Sequence, residues 1–208
     1  MAPVTSAAEP QVAAAVVAVL AGDSNAYALI VEQFQASIMT VAMMLLKNRS
    51  AAEELTQDVF VRAYQRLSTF DSSRPMKPWL MKIAYRLAQD VGRQRTIEAR
   101  RRESIAQNLS IAQTKEQNAV GSSNLSSASS PLQQLMADEQ SRLLWQAMEV
   151  LPLSERAAAI FYYREGLSVE QIATTMGVSA GSIKTSLFRA RDHLRTALQP
   201  MKDEGRAS

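Results

Sequence analysis

The 208-residue chain has no cysteine, which excludes disulfides, thiolate metal sites and thiol redox switches. It has a single histidine, His193, which removes most zinc sites and leaves only one residue to serve any nucleophile–histidine arrangement. There is no uninterrupted apolar run near the length of a membrane span. The longest candidate, Val12 to Ala21, is short, alanine-rich and preceded by Glu9 rather than a basic segment. It fails as a secretory signal, so a cytoplasmic protein without membrane insertion of its own is expected. Strand-like alternation, an internal repeat, a paired-carboxylate metal motif and a Gly-rich phosphate loop are also lacking. No catalytic residue, metal site or cofactor is therefore expected.

What remains is helical periodicity in two zones. Hydrophobic residues make up 47% of the chain, enough for real cores. Residues 12–102 and 135–200 are expected to form two all-α domains. Residues 103–134, rich in Ser, Gln, Asn and Ala, read as a flexible linker, because they cannot bury enough apolar area to offset their chain entropy. In the first zone, Gly22-Asp23-Ser24 breaks the helix begun at Val12, with Asp23 or Ser24 as the next N-cap. Leu29, Ile30, Phe34, Ile38, Val41 and Leu45 predict a second helix over 25–47. A third, over 51–67, places Leu55, Val59, Ala63 and Leu67 on one stripe. A fourth runs from Met76 past Val91, with Pro75 or Pro78 suited to its first turn, and buries Leu80, Ile83, Leu87 and Trp79. Four helices with short connections predict a bundle.

The sharpest local pattern lies near the C-terminus. Gly166 ends one helix, and Ser168-Val169-Glu170-Gln171 has the form of a capping box. Gly177-Val178-Ser179 turns the chain, and Ser179 caps a last helix through Leu198. A small residue (Ala173), Gly177 four later and Ile183 six after that is the spacing of a DNA-reading helix-turn-helix. A plain helical hairpin in a bundle has similar spacing, but basic residues decorate the outgoing helix. Ile183, Leu187, Ala190 and Leu194 face inward, leaving Ser182, Lys184, Thr185, Phe188 and Arg189 for base edges and phosphates. Arg191 and Arg195 lie further round, toward phosphate or solvent, and His193 reads as a solvated residue.

A second basic feature runs from Arg74 to Arg102. Nine bases stand there against Asp90 and Glu98, a surplus of seven in a chain whose net charge is +3. Lys82, Arg86, Gln89 and Arg93 recur at helical spacing opposite the Leu80–Ile83–Leu87 face. Charge runs usually mark a solvated face, but beside Phe70 and a DNA reader this one favours nucleic acid. The helix over 51–67 has an outer face of mixed charge that, taken alone, reads as solvated. Two other classes stay open: a stand-alone regulator with a helical sensing module, and, with little support, an enzyme acting on nucleic acid.

The run Ala52 to Tyr64 (AEELTQDVFVRAY), followed by Pro78 to Ala84 (PWLMKIA), resembles the N-terminal domain of extracytoplasmic-function sigma factors. Leu151 to Arg156 (LPLSER) and Gly177 to Arg191 (GVSAGSIKTSLFRAR) resemble their C-terminal domain. The resemblance implies a sigma region 2 type domain over 12–102 and a region 4 type domain over 135–200. It implies a stress-responsive transcription initiation factor that binds core RNA polymerase, on the largest-subunit clamp helices and the flap. Gln57, Asp58, Val61, Arg62 and Gln65 become the clamp contacts. Phe70, Arg74, Lys77, Lys82, Arg86, Gln89 and Arg93 become contacts to the −10 element, where a flipped base is captured from single-stranded DNA. Ser182, Lys184, Thr185, Phe188 and Arg189 would read the −35 element as duplex. Arg86 stands where the family commonly has Asn, so the −10 sequence of relatives does not carry over. An anti-sigma factor is the implied inhibitor. Thirty flexible residues span roughly 30 Å root-mean-square and elements one and a half turns apart are separated by roughly 50 Å. Polymerase, rather than the linker, must set the spacing.

Overall fold

The computed structural model describes residues 9–112, 147–148 and 150–204. Among the described residues every regular element is helical. Helix α1 spans Glu9–Leu20 and α2 Tyr27–Leu46, with a 3₁₀ turn Ser24–Ala26 between them. Helix α3 spans Arg49–Gln65, followed by a 3₁₀ turn Leu67–Thr69, and α4 spans Met76–Ala112. The C-terminal unit holds α5 (Leu153–Ala159), a π-helical turn (Ile160–Arg164), α6 (Val169–Met176) and α7 (Ala180–Glu204).

Local chemistry accounts for the boundaries. Asp23 caps the 3₁₀ turn by accepting from the Asn25 amide at 3.1 Å, and α2 begins after that turn rather than at residue 25. Asn48 accepts from the Ala51 amide at 2.9 Å, which starts α3 at Arg49, two residues earlier than its apolar stripe suggests. Ser168 and Gln171 make the reciprocal capping box at the start of α6, and Ser179 Oγ accepts from the Ser182 amide at 3.1 Å. Gly177 closes α6 at φ +72°, a left-handed conformation that an L side chain adopts only with strain.

Two expectations about extent need correction. Helix α4 continues to Ala112, ten residues into the segment 103–134 expected as linker. Glu98 and Arg102, four residues apart and 4.0 Å from each other, sit in a stretch of good helix formers that prolongs it. Residues 113–146, the rest of the expected linker and the start of the second domain, lie outside the described residues. The last helix likewise runs past Leu198 to Glu204.

The bundle core contains Ile30, Ile38, Val41, Leu45, Leu55, Val59, Ala63, Leu67, Leu80, Ile83 and Leu87, all buried. Leu29, expected inside, is exposed, and Trp79 is only half-buried, with its ring 5.1 Å from that of Phe70. Instead α4 buries Met81, Ala84, Tyr85 and Ala88, a wider face than its sequence pattern implied. Segment 24–46 is long and apolar enough to cross a membrane by composition, which a search for unbroken apolar runs overlooks. Its Ile30, Ile38, Val41, Ala42 and Leu45 are, however, the bundle's own core.

The wider face of α4 has a reason. The buried residues of both units form one continuous hydrophobic cluster. Helix α6 packs on α4, and α5 touches α2. The Tyr85 and Phe161 rings meet edge-on at 6.3 Å, both buried.

Candidate nucleic-acid and polymerase interfaces

On α3, Gln57, Asp58, Val61, Arg62 and Gln65 are all exposed, while Leu55, Val59 and Ala63 between them are buried. The inward stripe fixes the helix rotation, and the five residues are left together on its outer surface. Val61 is 54% exposed, an apolar residue held in solvent beside Arg62 and Tyr64.

The second candidate surface starts at the loop before α4. Asp71 Oδ1 accepts from the Ser73 hydroxyl at 2.6 Å and the Ser73 amide at 3.0 Å, a local turn. Those two bonds, then the Arg74 guanidinium 3.1 Å from Oδ2, hold the Asp71 carboxyl below its ordinary value. The turn thereby aims Arg74, which is exposed. Phe70 is half-buried against Trp79. Along α4, Arg86 and Arg93 are exposed, and Arg93 pairs with Asp90. Lys82 and Gln89 are half-buried, so the expected stripe is not wholly open. Gln89 hydrogen-bonds the Tyr85 hydroxyl, whose burial nonetheless pushes its pKa upward.

Lys77 departs most from expectation. Its side chain is 34% exposed, and Nζ lies 3.1 Å from Oε2 of Glu165 in the C-terminal unit. The Ser37 hydroxyl donates to the same oxygen at 2.7 Å. Beside them the Thr175 hydroxyl, at 3.4 Å, donates to the Pro78 carbonyl, and Arg156 donates to the Leu45 carbonyl at 3.1 Å. Sequence reasoning missed Glu165, Arg156, Thr175 and Phe161 as a group. Nothing in local spacing marks residues that meet partners a hundred positions away.

On α7, Ser182, Lys184, Thr185, Phe188 and Arg189 are exposed together, and Ile183, Leu187 and Ala190 are buried beneath them. Phe188, at 68%, has the largest exposure of any aromatic side chain described. Glu170 lies near Lys184; its carboxyl is held below the ordinary value by its own amide, then the Ser168 hydroxyl, then the Lys184 charge. Arg191 donates to the Leu187 carbonyl and Arg195 pairs with Asp192 at 2.7 Å. His193 is not simply solvated: its Nδ1 lies 3.5 Å from Oε2 of Glu155, a carboxylate that α5 carries into the interior.

Comparison with known proteins gives this arrangement its family. Residues 30–101 match Sigma-70 region 2 and residues 141–194 match Sigma-70, region 4. A probable RNA polymerase sigma factor RfaY of Xanthomonas campestris is 30% identical over 178 residues, covering 86% of this chain and 42% of that protein. The RNA polymerase sigma-H factor of Pseudomonas aeruginosa is 28% identical, covering 88% of this chain and 91% of that protein. The ECF RNA polymerase sigma factor SigW of Bacillus subtilis is 27% identical over 86% of this chain and 92% of its own. Among solved structures, CnrH in complex with the cytosolic domain of CnrY superposes with TM-score 0.60 at 18% identity, over 94% of this chain and 99% of that one. The sigma factor RpoE bound to the anti-sigma factor NepR from Bartonella quintana does so with TM-score 0.52 at 22% identity, over 81% and 94%. At those identities the structures show a shared fold; the two regions matched in order show the family. The chain belongs to the sigma-70 family of RNA polymerase sigma factors, in its extracytoplasmic-function group, and acts in promoter-directed transcription initiation.

Proposed function

We propose that the chain divides this work among three surfaces. The outer face of α3 (Gln57, Asp58, Val61, Arg62 and Gln65) docks on the clamp helices of core polymerase. The loop before α4 and the α4 surface (Phe70, Arg74, Lys77, Lys82, Arg86, Gln89 and Arg93) engage the −10 element as a separated strand. The α7 face (Ser182, Lys184, Thr185, Phe188 and Arg189) reads the −35 element as duplex. The observation that carries this reading is the α7 face, where two cations, two hydroxyls and an exposed phenyl ring share one side of a helix-turn-helix. Such a set suits phosphate, guanine edges and thymine methyls.

Polymerase does the chemistry, and the chain supplies recognition without catalysis, acting in the cytoplasm where core polymerase is found. The two domains divide between the end of α4 at Ala112 and residue 135. The flap of core polymerase is the expected seat of the C-terminal domain. Two relatives of shared fold are described as held by CnrY or NepR, and an anti-sigma protein is the corresponding partner here. The test is run-off transcription with purified core polymerase on a genomic promoter library. Core-dependent initiation at a defined promoter set supports the reading. Tight sequence-specific DNA binding by the chain alone, with no core-dependent initiation, would sink it.

A further inference from the structure

Helix α7 is anchored unevenly. Ile183, Leu187 and Ala190 are buried under its first turns, but of the described side chains beyond Ala190 only Leu194 is even half-buried. The later turns therefore have little apolar hold on the rest of the unit. The direction of α7 decides what its exposed face can reach, so whatever fixes those turns bears on recognition. A polar contact stands where the apolar ones run out. His193 Nδ1 lies 3.5 Å from Oε2 of Glu155 on α5, with the imidazole half in solvent and the carboxylate only 10% exposed.

That carboxylate is out of place unless something answers its charge. Burying an ionised group without a partner is costly, and Glu155 Oε2 is shielded from solvent with no hydrogen-bond partner among the described residues. The charged groups around it have other contacts. On α5, Arg156 donates to the Leu45 carbonyl of α2; on α7, Arg191 donates to the Leu187 carbonyl and Arg195 pairs with Asp192. Arg189, one turn before His193, is exposed, and on α6 the Glu170 carboxyl faces Lys184 near the other end of α7. Met148 and Leu151, which precede α5 in the core, carry no charge. His193 is thus the group placed on Oε2, and it is a cation only when protonated. At 3.5 Å the contact is long for a hydrogen bond and works through charge. Neutral imidazole offers Oε2 little, whereas imidazolium offers a full opposite charge.

We infer that Glu155 and His193 form a proton-dependent clasp that sets the direction of α7, so that its −35 reading face is held in place when His193 is protonated and loosened when it is neutral. Neither residue touches DNA in this role. Glu155 is the fixed point inside the unit, and His193 is a positioning residue for Lys184, Phe188 and Arg189. The sign follows from the charge: the clasp contributes fully on the acid side of the histidine range and is lost as pH rises through it. Groups with displaced titration lie outside that range, Asp71 and Glu170 below the ordinary carboxylate value, Tyr27 and Tyr85 above the ordinary tyrosine value. With one histidine in the chain, a pH dependence between about 5 and 8 can be traced to one side chain. The consequence for DNA rests on the reading of α7 as the −35 reader; the clasp itself does not.

Two measurements on the full chain test the parts separately. Urea unfolding of the unchanged chain, Glu155→Gln, His193→Gln and the double variant makes a double-mutant cycle, run at about pH 6 and about pH 8. Coupling between the two positions is expected at the lower pH and should vanish at the higher. Equal coupling at both, or none at either, overturns the clasp. Fluorescence anisotropy with a mixed-sequence duplex about two helical turns long, at fixed salt, then reads the consequence. The unchanged chain should bind about fivefold more weakly at the higher pH, as the competent fraction falls. His193→Gln should bind weakly at both, and His193→Lys tightly at both, because a lysine keeps its charge throughout this range. Glu155→Gln should also lose the pH dependence. A direct contact of imidazolium with phosphate would survive Glu155→Gln, so pH dependence retained in that variant overturns the positioning role. Duplex binding that is indifferent to pH in the unchanged chain overturns it too. Lys184→Gln in the same assay then decides whether the −35 reading falls with it: weakened binding keeps that reading, and unaltered binding removes it.

Discussion

Tyr27 ties the start of α2 to α3: its hydroxyl donates to the Phe60 carbonyl at 2.7 Å and its ring meets Tyr64 edge-on at 5.0 Å. Burial pushes its pKa up to about 12. The folded protein thus prefers the neutral phenol. Its contribution to stability is complete below the ordinary tyrosine value near 10 and is lost as pH rises through the folded value. Ultraviolet titration of Tyr27→Phe should therefore lose a component that ionises above the ordinary tyrosine range. Gly177 offers a second single-residue test. A Cβ added there meets nothing within 4 Å, so substitution acts through the backbone alone. At φ +72°, Gly177→Ala should lower stability by about 1–2 kcal/mol, and Gly177→Asn by less, because Asn tolerates the left-handed region. Thermal melting of the pair checks both. The two residues differ in how legible they were in the sequence. Gly177 belonged to a turn with a defined spacing, whereas the Tyr27 bond spans 33 positions and had no local signature.

At the scale of the helix, rotation is what periodicity reads well. Burial of Leu55, Val59 and Ala63 leaves one outer face on α3, and burial of Ile183, Leu187 and Ala190 leaves one on α7. Mutations on those faces should separate the two proposed tasks. Arg62→Glu should weaken association with core polymerase in a pull-down or anisotropy assay and leave isolated −35 duplex binding intact. Arg189→Ala should do the reverse, costing about 1–3 kcal/mol of base discrimination if its contact is bidentate. Lys184→Gln should flatten the salt dependence of duplex binding by about 0.9 in log–log slope if Lys184 neutralises one phosphate. Equal loss of both activities in either variant would mean that the faces are not independent. Periodicity failed where helix ends and widths were at issue. The end of α4 depends on propensity and on pairs such as Glu98–Arg102, which carry it past the last buried residue. The width of its buried face depends on what lies against it, and the covering residue Phe161 is far away in sequence.

For the whole molecule, the decisive feature is that one hydrophobic cluster runs through both units. A shared core couples their unfolding. Helical ellipticity and tryptophan fluorescence, to which the half-buried Trp79 on α4 contributes, should report coincident transitions in urea, as two-state behaviour requires. Two separated transitions would mean that the units are energetically independent and that the contacts between them contribute little. The same interface explains why the candidate −10 surface was only partly legible. Arg74, Arg86 and Arg93 are exposed, as a basic stripe suggests, but Lys77 is engaged by Glu165, and Lys82 and Gln89 are half-buried.

The sequence by itself determined the helical class, the two zones, the helix-turn-helix with its caps, and the faces of α3 and α7. Each of these is set by interactions within about four residues along the chain: apolar spacing, capping side chains and a glycine that can adopt positive φ. The missing cysteines and the lone histidine narrowed the chemistry before any fold was known, and the tertiary structure adds a partner for that histidine in Glu155. Only the tertiary structure decided that the two units close on each other and that Glu165 sits on Lys77. Ion pairs and ring contacts between distant segments depend on how whole helices pack, and packing geometry leaves no periodic trace in the chain that produces it.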